Sequence, residues 1–174
     1  MTHHLFIISG PSGVGKTVVA KAILARIPQL QVGVTYTTRR PRPGVIEDKI
    51  MRYITPTHFQ KLIRARAFLE WARVHDHYYG TARDEVLSRL AHGNILLNID
   101  VQGGLQVKKK FPDAILIFLQ PRSLAELKLR LATRHAKLTP KEFAIRLRNV
   151  KREILMGKHY TYRIVNSDGH LEET

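Results

Sequence analysis

No cysteine occurs in the 174 residues, so the fold depends on no disulfide and no thiolate metal site, and an oxidising compartment is neither required nor excluded. Negative charge is scarce as well: 14 Asp and Glu stand against 29 Lys and Arg, a formal net charge of +15. That imbalance favours an anionic partner, whether nucleotide, nucleic acid or acidic membrane surface, and charge alone does not choose among them. Long apolar runs are missing. None approaches the ~20 residues that span a bilayer, and the opening MTHHLFIISGPSG lacks the basic start and longer apolar core of a secretion signal. A soluble, cytoplasmic protein is expected. Repeats and low-complexity segments are absent too, and 44% hydrophobic content suffices for one good core, so one globular domain with inserted subregions is expected.

What is present is an alternation of short apolar runs with helical patterns. Residues 5–9, 95–99, 114–119 and 162–166 read as strands, most of them apolar on both faces, as parallel strands covered by helices are. Helical periodicity occupies 17–27, 83–91, 105–111, 124–134 and 140 to about 158. This order predicts a three-layer α/β fold with a parallel sheet. The alternation breaks between about 34 and 81, where short extended runs surround one helix near 57–66, as expected of an insertion with its own small sheet.

The strongest chemical signal is GPSGVGKT, the run Gly10, Pro11, Ser12, Gly13, Val14, Gly15, Lys16 and Thr17. It fits G-x-x-x-x-G-K-[ST] and lies directly after a strand and at the start of a helix. Glycines let the backbone curl so that N–H groups point at phosphates, and the helix N-terminus adds its positive end. Lys16 adds a mobile charge, and the Thr17 hydroxyl can bind Mg²⁺. The run is a nucleoside triphosphate cradle, shared by GTPases, helicases and kinases alike.

A second signal is TTRRPRPGVIEDKIMRY, where Arg39, Arg40 and Arg42 fall within four residues beside prolines that prevent a helix from forming. Such a loop suits a phosphate. Nucleic-acid binding competes for it, but the chain lacks the clustered aromatic platforms of single-strand binders. In HDH, His75 and His77 alternate as two imidazoles on one strand face would, yet no third ligand is nearby, so no zinc site is assigned. Trp71 and Tyr78 are expected to be packing residues of the small sheet.

Five blocks, GPSGVGKT, TTRRPRPG, FLEWARVHDHYYGT, NIDVQGG and RLATR, occur in one order along the chain. In that order and approximate spacing, from about residue 5 to 168, the sequence resembles guanylate kinase, a P-loop nucleoside monophosphate kinase that phosphorylates GMP with MgATP. The resemblance implies a P-loop kinase core of residues 1–33, 82–132 and 147–174, a GMP-binding region of about 34–81 built on a small mixed sheet, and a helical lid of about 133–146. Guanine offers an acceptor at O6 and donors at N1 and N2. The matching positions supply Glu70 and Asp100 for the donors, with Thr35 and Thr81 as the hydroxyls near O6. Arg39 and Arg42 stand at the family's phosphate-binding arginines, with Tyr79 as a phenolic donor and Arg40 as a solvated neighbour. The lid arginines of the family correspond to Arg130, Arg134 and Arg146, which together with Lys16 form the implied catalytic set. Asn166 matches a position near the adenine. The implied partners are ATP, with its Mg²⁺, and GMP or dGMP, rather than nucleic acid or membrane.

Departures from the family pattern are equally specific. Val45, Asp48, Ile50 and Met51 replace the Glu, second Gly, Asp and Tyr of the usual run after the arginine loop. That Tyr is a phosphate ligand in the family, and Met51 cannot donate a hydrogen bond; Tyr53, two residues on and on the same strand face, is the expected substitute. Asn98 stands where an acidic residue often organises Mg²⁺. The chain ends at Thr174, before the family's C-terminal helix; the apolar surface left there would lower stability or be covered by another subunit, which admits a homodimer. Two other readings remain at this stage: a related P-loop kinase acting on an acceptor such as ribose 1,5-bisphosphate, and a non-catalytic guanylate-kinase-like binding module. Retained guanine-facing carboxylates weigh against the first, and the intact cradle with Lys16 against the second.

Overall fold

The run LFIIS, apolar at every position but its last, forms β1 (Leu5–Ser9), the central strand of a five-stranded sheet. Around it lie β2 (Gln31–Val32), β7 (Ile95–Asn98), β8 (Ile115–Pro121) and β9 (Tyr162–Asn166), in the order β2-β7-β1-β8-β9, with every pairing parallel. The computed structural model describes residues 3–41, 51–74, 76–134, 139–167 and 169–174.

Alternate residues of these strands face opposite layers, which is why the inner strands β1, β7 and β8 are apolar along most of their length, while the edge strand β9 is largely exposed. Ile7, Ile95, Leu97, Leu116 and Phe118 point into a core shared with α3 (Arg83–Leu90) and α4 (Val101–Lys110). Ile8, Leu96 and Leu119 point the other way, onto α1 (Lys16–Arg26), α5 (Leu124–Arg134) and α6 (Pro140–Met156). The result is the α/β three-layer arrangement expected from the alternation. No helix among the described residues is long and apolar enough to cross a membrane.

A second, four-stranded mixed sheet has the order β4-β3-β6-β5, from β3 (Thr35–Thr37), β4 (Met51–Tyr53), β5 (Phe68–Val74) and β6 (His77–Ala82). The pair β3 and β4 is parallel, while β6 is antiparallel to both β3 and β5. One face packs on α2 (Pro56–Arg64), which starts at Thr55, whose hydroxyl accepts from His58 N–H at 3.2 Å. There Phe59 stacks on Phe68 and Tyr78 with ring centroids 4.5 and 5.3 Å apart. Tyr78 is thus a packing residue, as expected, whereas Trp71, tilted beside it, is exposed rather than packed in the sheet.

Two elements differ from the sequence reading. β2 is only two residues long, too short to leave a periodic signature. Helix α4 begins at Val101 rather than near 105, because Asp100 caps it by accepting Gly103 N–H at 2.9 Å. Gly103 and Gly104 look like helix breakers in the sequence. Glycine stands at both positions because neighbours leave no room for a side chain: a Cβ on Gly103 would sit 2.5 Å from Glu70 Oε2, and one on Gly104 would meet the Tyr160 hydroxyl.

Candidate active site

The phosphate loop turns between the end of β1 and the start of α1. Gly13 and Gly15 adopt φ of 86° and 96°, the left-handed region where a Cβ is strained. Gly15 precedes α1, so the first amides of that helix meet no capping side chain and point outward beside Lys16 and Thr17. Lys16 Nζ donates to the loop's own carbonyls, Gly10 O at 2.6 Å and Pro11 O at 3.3 Å. Thr17 lies exposed in the first helical turn.

The loop is clamped from behind by two of the expected residues. Asn166, buried at the end of β9, donates from Nδ2 to Val14 O at 2.6 Å and leaves no room for a side chain at Gly15. Arg130 reaches the same carbonyl at 3.3 Å and Asn166 O at 3.5 Å, while pairing with Glu126 one turn away. Its side chain is only 14% exposed, so it does not belong to a solvated helix face. Beside it, Gly13, Gly15, Val18, Thr133 and Leu171 help to line an open cavity of about 520 Å³.

On the other side of Lys16, a cavity of about 180 Å³ is lined by Lys16, Thr35, Glu70, Tyr79, Asn98 and Asp100. Strand register explains the grouping. Thr35 pairs with Met51 and Thr81, Thr37 with Tyr53 and Tyr79, and Glu70 with Thr81, so these side chains share the face opposite α2. Glu70 is 2% exposed, and Thr81 donates its hydroxyl to Glu70 Oε1 at 2.5 Å. Thr81 therefore orients a carboxylate, a different use of its proton from the O6 contact expected in the sequence. Burial pushes the Glu70 carboxyl up to about 7; the nearby Asp100 also raises it, while the bonds from Thr81 and the charge of Lys110 pull it down. Lys110 is held in place by donating to Leu69 O.

The Tyr53 hydroxyl is buried and has no hydrogen-bond partner among the described residues. A buried hydroxyl without a partner costs about 1–3 kcal/mol, so it suits a site that receives a polar ligand. Arg39 is half-buried at the end of the same sheet, its N–H donating to Thr37 Oγ1 at 3.1 Å, and Arg40 is exposed. Arg42, Val45, Asp48, Ile50 and His75 lie outside the described residues, as does the side chain of Arg134. Four residues of the expected lid, 135–138, lie outside them too.

Arg146 does not line the cavity that holds Glu70. With Ser12, Asp100 and Glu153 it lines a third cavity of about 240 Å³ enclosed by α6, the end of β5, the start of α4 and Ser12 of the phosphate loop. Asp100 belongs to both this cavity and the smaller one. Glu153 escaped the sequence reading: its Oε2 accepts Ser12 N–H at 3.2 Å, and burial raises its pKa against the lowering influence of Lys16. The available signal was its place seven residues after Arg146, two helical turns along one face of a basic helix.

The model of the guanylate kinase family matches residues 2–174. This chain belongs to the guanylate kinase family. A guanylate kinase from Caldanaerobacter subterraneus subsp. tengcongensis is 39% identical over 165 residues, spanning 94% of this chain and 80% of the relative. One from Thermotoga maritima is 40% identical over 169 residues, 97% of this chain and 81% of its own length. The crystal structure of guanylate kinase from Anaplasma phagocytophilum superposes with a TM-score of 0.77 at 26% identity, over 99% of this chain and 80% of that one. The guanylate kinase fold thus accounts for both sheets, and neither a kinase of another acceptor nor a binding module gains support from these likenesses.

Proposed function

We infer that this protein transfers the γ-phosphoryl group of ATP to GMP, and to dGMP, giving ADP and GDP. One observation carries the reading: the two carboxylates suited to guanine's donor edge, Glu70 and Asp100, line the same cavity as Lys16 of the phosphate loop. The base is read by these carboxylates with Thr35 beside them, and Thr81 holds Glu70 in position. Arg39, Arg42, Tyr79 and Tyr53 receive the GMP phosphate. ATP lies along the phosphate loop, its adenine end toward the cavity that Thr133, Asn166 and Leu171 help to line. Residues of about 34–81 act as the GMP-binding region, about 133–146 as the lid, and 1–33, 82–132 and 147–174 as the core.

The GMP phosphate is already ionised near neutral pH, so the reaction needs alignment and charge neutralisation rather than a general base. An oxygen of that phosphate forms the new bond to the γ-phosphorus while the bridge to the β-phosphate breaks and ADP departs. Lys16, Arg130, Arg134 and Arg146 neutralise the migrating group. The donor set suits an ion carried by the nucleotide: the Thr17 hydroxyl would be a ligand to Mg²⁺, Asn98 and Asp100, in the wall of the cavity with Lys16, would accept from its waters, and the ion would supply positive charge to the transferring phosphates. Among the described residues no cluster of three or more acidic, His or Cys groups forms a separate metal cage.

The test is ADP release from MgATP with GMP, dGMP, AMP, UMP or ribose 1,5-bisphosphate added in turn. GMP and dGMP are expected to stimulate release strongly and the others little. Absence of stimulation by GMP above the ATP-only background would sink the reading. Lys16→Ala is expected to abolish turnover while calorimetry still detects GMP binding, and parallel loss of both would reject the assigned role.

A further inference from the structure

Glu153 is an acidic residue on a helix whose facing residues, Arg146, Asn149 and Arg152, are otherwise basic or neutral. It does not face solvent on its own. Its Oε2 receives Ser12 N–H at 3.2 Å, it lies within the field of Lys16, and it shares a cavity with Arg146 and Asp100. A carboxylate so close to a triphosphate path is costly if it serves only to hold the fold, because it repels the incoming phosphates. Nor is it needed as a base, since the attacking GMP phosphate carries no proton that must be removed.

Its contacts indicate another use. The Ser12 bond fixes α6 against the phosphate loop at one point, and Arg146 lies seven residues back on the same face, about 10 Å along the helix. A small rotation about an unfixed contact would carry the Arg146 guanidinium away from the migrating group, and misplacements near 1 Å cost on the order of 100-fold in rate. We propose, resting on the phosphotransferase reading above, that Glu153 is a positioning residue: by accepting Ser12 N–H it seats the Arg146 face of α6 on the phosphate loop.

The test is steady-state kinetics on the full chain with Glu153→Ala, Glu153→Gln, Arg146→Ala and the Glu153→Ala/Arg146→Ala double variant, with GMP binding measured by calorimetry. Glu153→Ala is expected to lower kcat roughly 10- to 100-fold while the GMP Michaelis constant and calorimetric affinity stay within about two-fold. Glu153→Gln retains an oxygen that accepts Ser12 N–H and is expected to recover kcat to within about five-fold of wild type. In the Arg146→Ala background, loss of Glu153 is expected to change kcat less than about three-fold, because the group it positions is gone. The proposal is overturned if Glu153→Ala keeps wild-type kcat, if Glu153→Gln is as impaired as Glu153→Ala, or if the two losses multiply in the double variant. A wild-type protein that fails to phosphorylate GMP defeats the function itself, a separate outcome read in the same assay.

Discussion

Burial brings the Glu70 carboxyl to a pKa of about 7, yet the guanine contact proposed for it requires the ionised form, because N1 and N2 are both donors. GMP affinity is therefore expected to rise as pH increases toward 7 and to level off above it, approaching about tenfold per pH unit on the acid side. Glu70→Gln removes that limb and weakens GMP binding by roughly 10- to 100-fold, the value of a charge-assisted bond. Calorimetric titrations between pH 5.5 and 8.5 check both. For the empty protein the sign reverses. The folded pKa of about 7 lies above the ordinary value of 4.5, so the folded form holds the proton more tightly. Stability from this group is complete below 4.5 and is lost as pH rises through 7. Without nucleotide, the melting temperature is expected to fall across that window more in wild type than in Glu70→Gln. Tyr53 offers a second test with two opposed readouts. Tyr53→Phe deletes a buried hydroxyl without a described partner, so the empty protein is expected to be as stable as wild type or more so, by up to about 1 kcal/mol. The GMP Michaelis constant is expected to rise several-fold; an unchanged value removes Tyr53 from the phosphate site.

Elements with strong hydrophobic signatures were legible from the sequence. The runs of β1, β7 and β8, buried between two helical layers, could hardly have been anything else, and the motif fixed where α1 begins; β9, at the sheet edge and largely exposed, showed itself by its extended, β-branched run alone. The first turn of α4 was not legible, because its glycines follow a tertiary constraint that no local pattern encodes: Glu70 from another strand occupies the space a side chain would fill. The same contact makes a prediction for the element. Gly103→Ala improves intrinsic helix propensity by about 1 kcal/mol, but its Cβ would lie 2.5 Å from a carboxylate that is 2% exposed and cannot withdraw. Helical circular dichroism is expected to be unchanged while kcat/KM for GMP falls more than about tenfold. An active Gly103→Ala enzyme with normal GMP affinity would show that Glu70 does not need its observed position. The residues proposed to read the base were nameable through the family resemblance, whereas Thr81's hydrogen bond to Glu70 and Glu153's grip on Ser12 depend on distances between segments far apart in sequence.

At the scale of the molecule, the +15 charge lies on a protein whose two proposed substrates are both polyanions. Long-range attraction between them is screened over about 8 Å at physiological ionic strength and about 3 Å at 1 M salt. Raising salt is expected to lower kcat/KM for ATP and GMP while leaving kcat at saturation nearly constant, since steering acts on encounter. A salt-independent kcat/KM would confine the basic excess to a role away from the nucleotides.

Asp100 stands in the wall of two cavities, one shared with Glu70 and Lys16, the other with Arg146 and Ser12, and it also begins α4. A group common to two compartments makes them accountable to each other. Whatever factor GMP imposes on the affinity for ATP, ATP must impose on the affinity for GMP, because both routes around the cycle end at the same ternary state. On the proposed placement of the substrates, cooperation between them needs no large movement to transmit it: a single shared carboxylate would give each nucleotide a direct electrostatic report of the other's arrival.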